Sequence, residues 1–311
     1  MALLFFFFSL SLSIDVYNLA IRLVGFILQK DLTSLMPSPL PSFYVPLVLS
    51  VLFSIYGYLE AKVLKVKRLS INTAKLPEGT DKLTIVQISD LHLGIMVKDE
   101  ILDKVIKEIK KAKPDLIVST GDLLDEEVNH IDYLSEKLKK VYAGLGKFAV
   151  TGNHEFFGGI KHSIKFLEDS GFTVLRGRGI TVKGLINIAG FDDPICRKEH
   201  NTGNIPSESK ILSSLPSDIF TLLLKHRPDT DKNSLGLFEL QLSGHTHGGQ
   251  SFPMNFAIIP FFRHKTGYKN LSKGSSIYVS QGAGTVCMPI RFLAPPEIVI
   301  IDVISREKPK M

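Results

Sequence analysis

Between Leu83 and Gly171 the chain passes three times from a short run of apolar, β-branched residues into a stretch of helical period. "LTIVQIS" precedes "DEILDKVIKEIKKAK", "PDLIVSTGD" precedes "IDYLSEKLKKV", and "KFAVTGNHE" precedes "IKHSIKFLEDSG". In the first of these helices Ile101, Leu102, Val105, Ile106 and Ile109 fall on one face behind Asp99 as N-cap, and Gly171 stands past the end of the third. Three successive βα units predict a layered α/β or α+β domain. Beyond them "FTVL", "ITV", "LINIAGF", "IFTLLLKH", "FELQLSGH", "SIYVSQG" and "EIVIIDV" read as strands with no long helix between them, so the second half is strand-rich.

Each of five inferred strands ends on a polar cluster, the place where open sheets carry their chemistry. "SDLHLG" contributes Asp90 and His92, "TGDLLD" Asp122 and Asp125, and "TGNHE" Asn153 and His154. "KHRPD" adds His226, and "SGHTHGGQ" adds His245 and His247. Taken singly, each cluster also reads as turn chemistry or as a strand-end polar residue. Together they hold carboxylates, an amide oxygen and imidazoles in the proportions that suit two divalent transition metals such as manganese, iron or zinc. In "SGHTHGGQ" the two histidines are one residue apart, and a strand running through them would point both imidazoles to one face. The other four histidines, His130, His162, His200 and His264, sit in helical or loop contexts and are assigned surface or structural roles.

In this order the motifs "DLH", "GD", "GNHE", "KH" and "GHTH" resemble the signature of the calcineurin-like metallophosphoesterase superfamily. The resemblance covers residues 80 to 303 and implies an α+β (αββα) fold, a two-sheet β-sandwich flanked by helices with the site at its top. It implies that Asp90, His92, Asp122 and His247 bind one metal, and that Asp122, Asn153, His226 and His245 bind the second, with Asp122 as the bridge. It also implies hydrolysis of phosphodiester or pyrophosphate bonds by a metal-bridging hydroxide, with Asn153 and His154 at the substrate. His154 is then the general acid at the leaving oxygen, and Asp125 orients its ring, unless Asp125 is only a solvated helix-start residue. Protein phosphatases of the superfamily carry "GDxxDRG", in which an arginine grips phosphate, whereas this chain has Glu126 there, so a phosphoprotein substrate is disfavoured. Arg291 in "GTVCMPIRF" is the candidate replacement grip, the alternative being a surface or strand-end arginine.

The first 61 residues have a different composition. "MALLFFFFSLSLSI", "VYNLAIRLVGFIL" and "FYVPLVLSVLFSIYGYL" form a membrane anchor of one or two hydrophobic spans, with Asp15, Asn18 and Arg22 interrupting the second run. A cleaved signal peptide is the lesser reading, because a basic n-region and a small-x-small cleavage site are lacking. Residues 62–80 are expected to be a basic linker, with Lys62, Lys65, Lys67 and Arg68 in seven residues, and residues 81–311 the catalytic domain. The basic flank favours a cytoplasmic position for that domain, at a bacterial inner membrane by resemblance to the membrane-associated branch. The alternative is a plain solvated or headgroup-binding linker. The net charge of +6 agrees with an anionic surface nearby. Cys196 and Cys287 stand apart as isolated reduced thiols.

The same branch includes a UDP-2,3-diacylglucosamine pyrophosphohydrolase of lipid A synthesis, which makes a glycolipid pyrophosphate the specific alternative substrate. "SFPMNFAIIPFFRHKTGYK" places Phe252, Phe256, Ile258, Ile259, Phe261 and Phe262 before Arg263, His264, Lys265 and Lys269, an order that suits an edge dipping into lipid, or a core-packed loop. "CRKEHNTGNIPSESK" is a polar insertion that reads as a cap over the site or as a plain loop. A nucleic acid partner is not expected, since basic residues crowd the membrane flank and the helices rather than interleaving with aromatics beside the motifs. A nuclease and a metal-free binding scaffold are the remaining alternatives, although no ligand position is erased.

Overall fold

The computed structural model describes residues 1–94, 99–125, 132–196 and 206–306. Two sheets of six strands stack face to face with helices outside them, the αββα arrangement expected. The first sheet has the order β1 (Lys65–Thr73), β12 (Glu297–Ser305), β2 (Lys82–Ile88), β3 (Leu116–Ser119), β4 (Lys147–Ala149) and β5 (Thr173–Val174). The second runs β10 (Gly267–Asn270), β11 (Ser276–Val279), β9 (Leu240–Ser243), β8 (Thr221–Lys225), β7 (Ile186–Phe191) and β6 (Arg178–Val182). Neighbours β2 to β5 are parallel, as are β7, β8, β9 and β11, so the carboxyl ends of each set lie on one side.

Both faces of β2, β3, β4 and β12 in the first sheet are buried, which is why these strands read as apolar runs. Ile85, Val118, Phe148 and Val299 point inward and meet Leu222, Leu224 and Leu240 of the second sheet. Their chain neighbours Val86, Ile117 and Ile298 point outward, under helices α3 (Asp99–Ala112), α4 (Asp132–Lys139) and α6 (Ile160–Asp169). On α3 the buried residues are Leu102, Val105, Ile106 and Ile109, a helical stripe whose burial is worth about 1.5–3 kcal/mol per side chain before entropic costs. Asp99 is the first helical residue there, and the positions before it lie outside the described residues. On the second sheet Leu223 and Phe238 pack with Leu212 of α7 (Glu208–Ser213). Gly171 has φ 83°, consistent with its expected place after α6.

Helices α1 (Ala2–Leu28) and α2 (Pro39–Glu60) pack as an antiparallel hairpin, and both are long and apolar enough to cross a membrane. Their serines cause no conflict, because Ser9, Ser13, Ser50 and Ser54 each donate to a carbonyl of the preceding turn. The hairpin docks on the sandwich through Phe6, Phe53 and Tyr56, whose ring centroids lie 5.1, 4.8 and 5.6 Å from that of Phe292. Beside them the Arg291 amide donates to the Gly57 carbonyl at 2.9 Å. A β-carbon on Gly57 would come within 3.3 Å of both the Arg291 oxygen and Ile290, so glycine permits this approach.

Residues 65–73 correct the expected linker. They form β1, which pairs in parallel with β12 along nine residues, so the domain begins before residue 81. Lys65, Lys67 and Arg68, which suggested a solvated segment, are exposed charges of an edge strand, while Leu69 and Ile71 turn to the core. A chain beginning at residue 62 keeps this edge, and one beginning at residue 81 bares β12. The shorter chain is expected to melt about 5 °C lower or more and to aggregate on heating, which differential scanning calorimetry will read.

Candidate metal centre

The C-terminal ends of β2, β3, β4, β8 and β9 meet at one place between the sheets, and each sends a loop into it. Asp90 and His92 follow β2, Asp122 and Asp125 follow β3, and Asn153 and His154 open the short helix α5 (Asn153–Phe157) after β4. His226 follows β8 directly, and His245 and His247 follow β9. The structure gathers donor atoms of Asp90, His92 and His247 into one group and those of Asp122, His226 and His245 into a second, each within 4.8 Å. Nε2 of His92 lies 3.0 Å from Nε2 of His247, and Nδ1 of His245 lies 3.0 Å from Nε2 of His226. Asp122 stands between the groups, its Oδ2 3.1 Å from His226 Nε2 and 3.9 Å from His92 Nε2. His154 Nδ1 and Asp125 Oδ1 are 3.2 Å apart.

The backbone is bent to reach this geometry. Asp90, His92, Asp122, His245 and His247 all have φ between 49° and 72°, the left-handed region that side chains other than glycine rarely enter. The sequence pattern implied a strand through His245 and His247. Instead β9 ends at Ser243, and the left-handed turns send the two rings to different groups. The flanking glycines make room for the chain itself: a β-carbon on Gly152 would overlap Asp122 Oδ1, and one on Gly244 would overlap Asp90 Oδ2 and Ser89. Glu155, fully buried, fastens the loops by accepting the backbone amides of Asp122, Leu123, Leu124 and Gly152 at 2.7–3.2 Å. Its role was hidden in the sequence, where only the fixed place after "GNH" could mark it.

Charge is shared unequally. Burial opposes ionisation of Asp122, but the charges of His226 and His92 and the His226 hydrogen bond prevail and hold its carboxyl below the ordinary range. For His226, burial is likewise overcome by Asp122 and Asp90, which push it up to about 10. Burial lowers His92 to about 4, and burial with the nearby His226 charge lowers His245 to about 3. Burial, with the Arg291 charge, also keeps His247 neutral. Three neutral imidazoles beside an ionised carboxylate are the protonation states that coordinate a divalent cation, and His226 would have to give up its proton to join them. Asn153 Oδ1 is buried with no hydrogen-bond partner among the described residues, and so is His92 Nδ1. Facing ring nitrogens and an orphaned amide oxygen fit a site built for cations better than a self-satisfied polar cluster.

Residues 83–249 match the sequence profile of the family described as Calcineurin-like phosphoesterase. An uncharacterized metallophosphoesterase of Aquifex aeolicus is 37% identical over 256 residues, 82% of this chain and 97% of that one. The chain belongs to the calcineurin-like phosphoesterase family. Like its relatives, this phosphoesterase is a metal-dependent phosphoester hydrolase. A second relative, from Bacillus subtilis, is 36% identical over 80% of this chain and 90% of its own. A zebrafish protein named "Transmembrane protein with metallophosphoesterase domain" is 30% identical over 82% of this chain, which spans 61% of that protein.

Arg291 requires a correction. It is fully buried, and its guanidinium is consumed by the carbonyls of Gly284, Gln281, Ala294 and His247 and by His247 Nδ1 at 3.0 Å. With its donors committed, it positions the His247 ring and has no face for a substrate phosphate. Other cations stand elsewhere: a cavity of about 390 Å³ beside His226 is lined by Arg176, Lys225 and Arg227, which pair with Asp192, Glu208 and Asp193 at 2.9, 2.9 and 2.7 Å. Arg227 was missed in the sequence, although its place directly after His226 in "KHRPD" is a local signal that could have marked it. Glu126, His130, His200 and most of the polar insertion lie outside the described residues. His162 is exposed on α6, His264 and Cys196 are buried, and Cys287 is exposed. Arg291→Lys is expected to weaken manganese retention about tenfold or more, by loosening His247, with KM unchanged at saturating metal. Equilibrium dialysis and steady-state kinetics separate the two effects, and a raised KM with intact metal affinity would restore the substrate role.

Proposed function

We propose that this phosphoesterase is a membrane-anchored hydrolase of phosphodiester or pyrophosphate bonds that works with two divalent ions, manganese being the first choice and iron or zinc the alternatives. The observation that carries the reading is the placement of Asp122 between two groups of donors, with one oxygen toward both His226 and His92. Asp90, His92, Asp122 and His247 would hold one ion, and Asp122, Asn153, His226 and His245 the other. When bound, such a pair supplies Lewis-acid charge to the phosphoryl oxygens and an activated water.

The chain's own residues account for the remaining chemistry. Asp125, accepting from a proton on His154 Nδ1, leaves Nε2 as the atom that hands a proton to the departing oxygen. His154 is only partly buried, so a substrate can reach it. Arg176 and Arg227, at the cavity beside His226, are held through Nε by Asp192 and Asp193 and would turn their outer guanidinium nitrogens to a second anionic part of the substrate. Two apolar helices followed by Lys62, Lys65, Lys67 and Arg68 support an anchor in a bacterial inner membrane with the catalytic domain on the cytoplasmic side. The names of the zebrafish and bovine relatives support the anchor as well. A UDP-2,3-diacylglucosamine pyrophosphohydrolase in particular is not favoured, since the relatives carry only the broader name.

With manganese, the purified full chain is expected to hydrolyse bis-p-nitrophenyl phosphate, and Asp122→Asn or His245→Ala to abolish that activity while leaving the circular dichroism spectrum unchanged. Full activity in either variant would overturn the ligand assignment. His154→Ala is expected to retain metal but lose roughly 10²–10⁴-fold in turnover, most severely for substrates with poor leaving groups. A loss equal across leaving groups would remove the acid role. A plasmid-nicking assay tests the nuclease alternative directly.

A further inference from the structure

Directly after its last metal-site histidine the chain makes an excursion that the reaction does not explain. It leaves the ligand loop at Gln250, runs through α8 (Met254–Ala257), and returns where Thr246 Oγ1 donates to the Lys265 carbonyl at 2.5 Å. The two ends are thus tied to the turn that carries His245 and His247. Phe262 closes on the site, its ring 5.3 Å from that of His245. The middle of the excursion turns outward instead: Phe252, Met254, Phe256, Ile259 and Phe261 are all exposed, Phe256 at 59% and Phe261 at 76%. Water rarely faces so many large apolar side chains in sequence unless a partner covers them.

Two observations identify the partner. The excursion begins at the hairpin's docking point, because the Phe252 amide donates to the carbonyl of Phe292, the residue on which Phe6, Phe53 and Tyr56 pack. Leu293, next along the chain, is 65% exposed on the same edge. The charge order agrees: from Ser251 to Ser276 there is no acidic residue, and Arg263, Lys265, Lys269 and Lys273 follow the apolar stretch. Apolar side chains backed by cations fit an acyl layer beneath anionic headgroups. A second copy of this chain would bring the same cations against themselves.

We propose that residues 252–262 form a lip that enters the bilayer spanned by α1 and α2, so that the metal centre is presented to phosphoesters carried on membrane lipids. The proposal rests on the reading of the hairpin as a membrane anchor and of the site as a phosphoesterase, and narrows its substrate to a class. Phe262 links the two environments, one edge toward His245 and its chain neighbour Phe261 toward the acyl layer.

The chain contains no tryptophan, so a single substitution installs a unique reporter. The full chain carrying Phe261→Trp, in vesicles of phosphatidylcholine and phosphatidylglycerol, is expected to be quenched strongly by acyl-brominated phosphatidylcholine and weakly by aqueous acrylamide. Tyr142→Trp, 83% exposed in the turn before β4 and so at the opposite end of the strands from the ions, is expected to show the reverse. Acrylamide quenching of both reporters would overturn the lip, and so would shielding of Phe261→Trp from both quenchers, the sign of a protein partner. In a second arm, Phe256→Ser combined with Phe261→Ser is expected to leave bis-p-nitrophenyl phosphate hydrolysis unchanged and to lower hydrolysis of a vesicle-borne lipid phosphodiester about tenfold or more. Equal loss on both substrates would overturn the access role. Failure of the unsubstituted chain on every phosphoester would sink the hydrolase reading instead, and the quenching result would still decide whether the lip is in lipid.

Discussion

A carboxylate taken wholly out of water must be met by positive charge, and Asp122 imposes that demand at the junction of the two sheets. Its nearest answer within the chain is His226, which carries a proton up to about pH 10 because Asp122 and Asp90 surround it. The remaining rings, His92, His245 and His247, stay neutral: the Nε2 atoms of His92 and His247 face each other across 3.0 Å, and Nδ1 of His245 faces Nε2 of His226 across the same distance. The site is therefore arranged for charge that the polypeptide itself supplies only in part.

Holding it open has costs that the surrounding structure offsets. Five left-handed residues at the strand ends cost roughly 1–3 kcal/mol each. They persist because Glu155 ties the Asp122 loop to Gly152, and because Gly152 and Gly244 allow their loops to touch the carboxylates they would otherwise strike. The parallel strands contribute rigidity: each loop leaves a strand with hydrogen-bonded neighbours in a doubly covered sheet, so its starting direction is fixed.

Much of this was legible before any coordinates. Apolar runs of β-branched residues stopping at Asp, His or Asn reveal both the strands and the site, since strand burial and strand-end chemistry each leave their own residue types. Positions whose role depends on long-range partners were not legible. Arg291 looks like a strand-end cation, and only the approach of Gly284, Gln281 and His247 turns it inward. Residues 65–73 look like a solvated basic stretch, since an edge strand keeps its charges outside and its pairing to β12 spans more than two hundred residues of sequence. Glu155 and the left-handed turns escaped for the same reason, because periodicity reports which face is buried and carries no information about backbone handedness.

The hydrogen bond from Arg291 to Gly57 joins two parts of the molecule that a domain diagram would draw separately. The amide of Arg291 grips the end of α2 while its guanidinium grips His247, so a single residue separates the hairpin from the candidate site. A domain on a flexible tether samples every orientation about its first helices, but here swivelling would have to break the Arg291–Gly57 bond, and the same arginine steadies the ring. The catalytic mouth thus has a compass bearing set by the hairpin, and a fragment cut free after Gly57 would carry the same histidines with the His247 ring less firmly aimed.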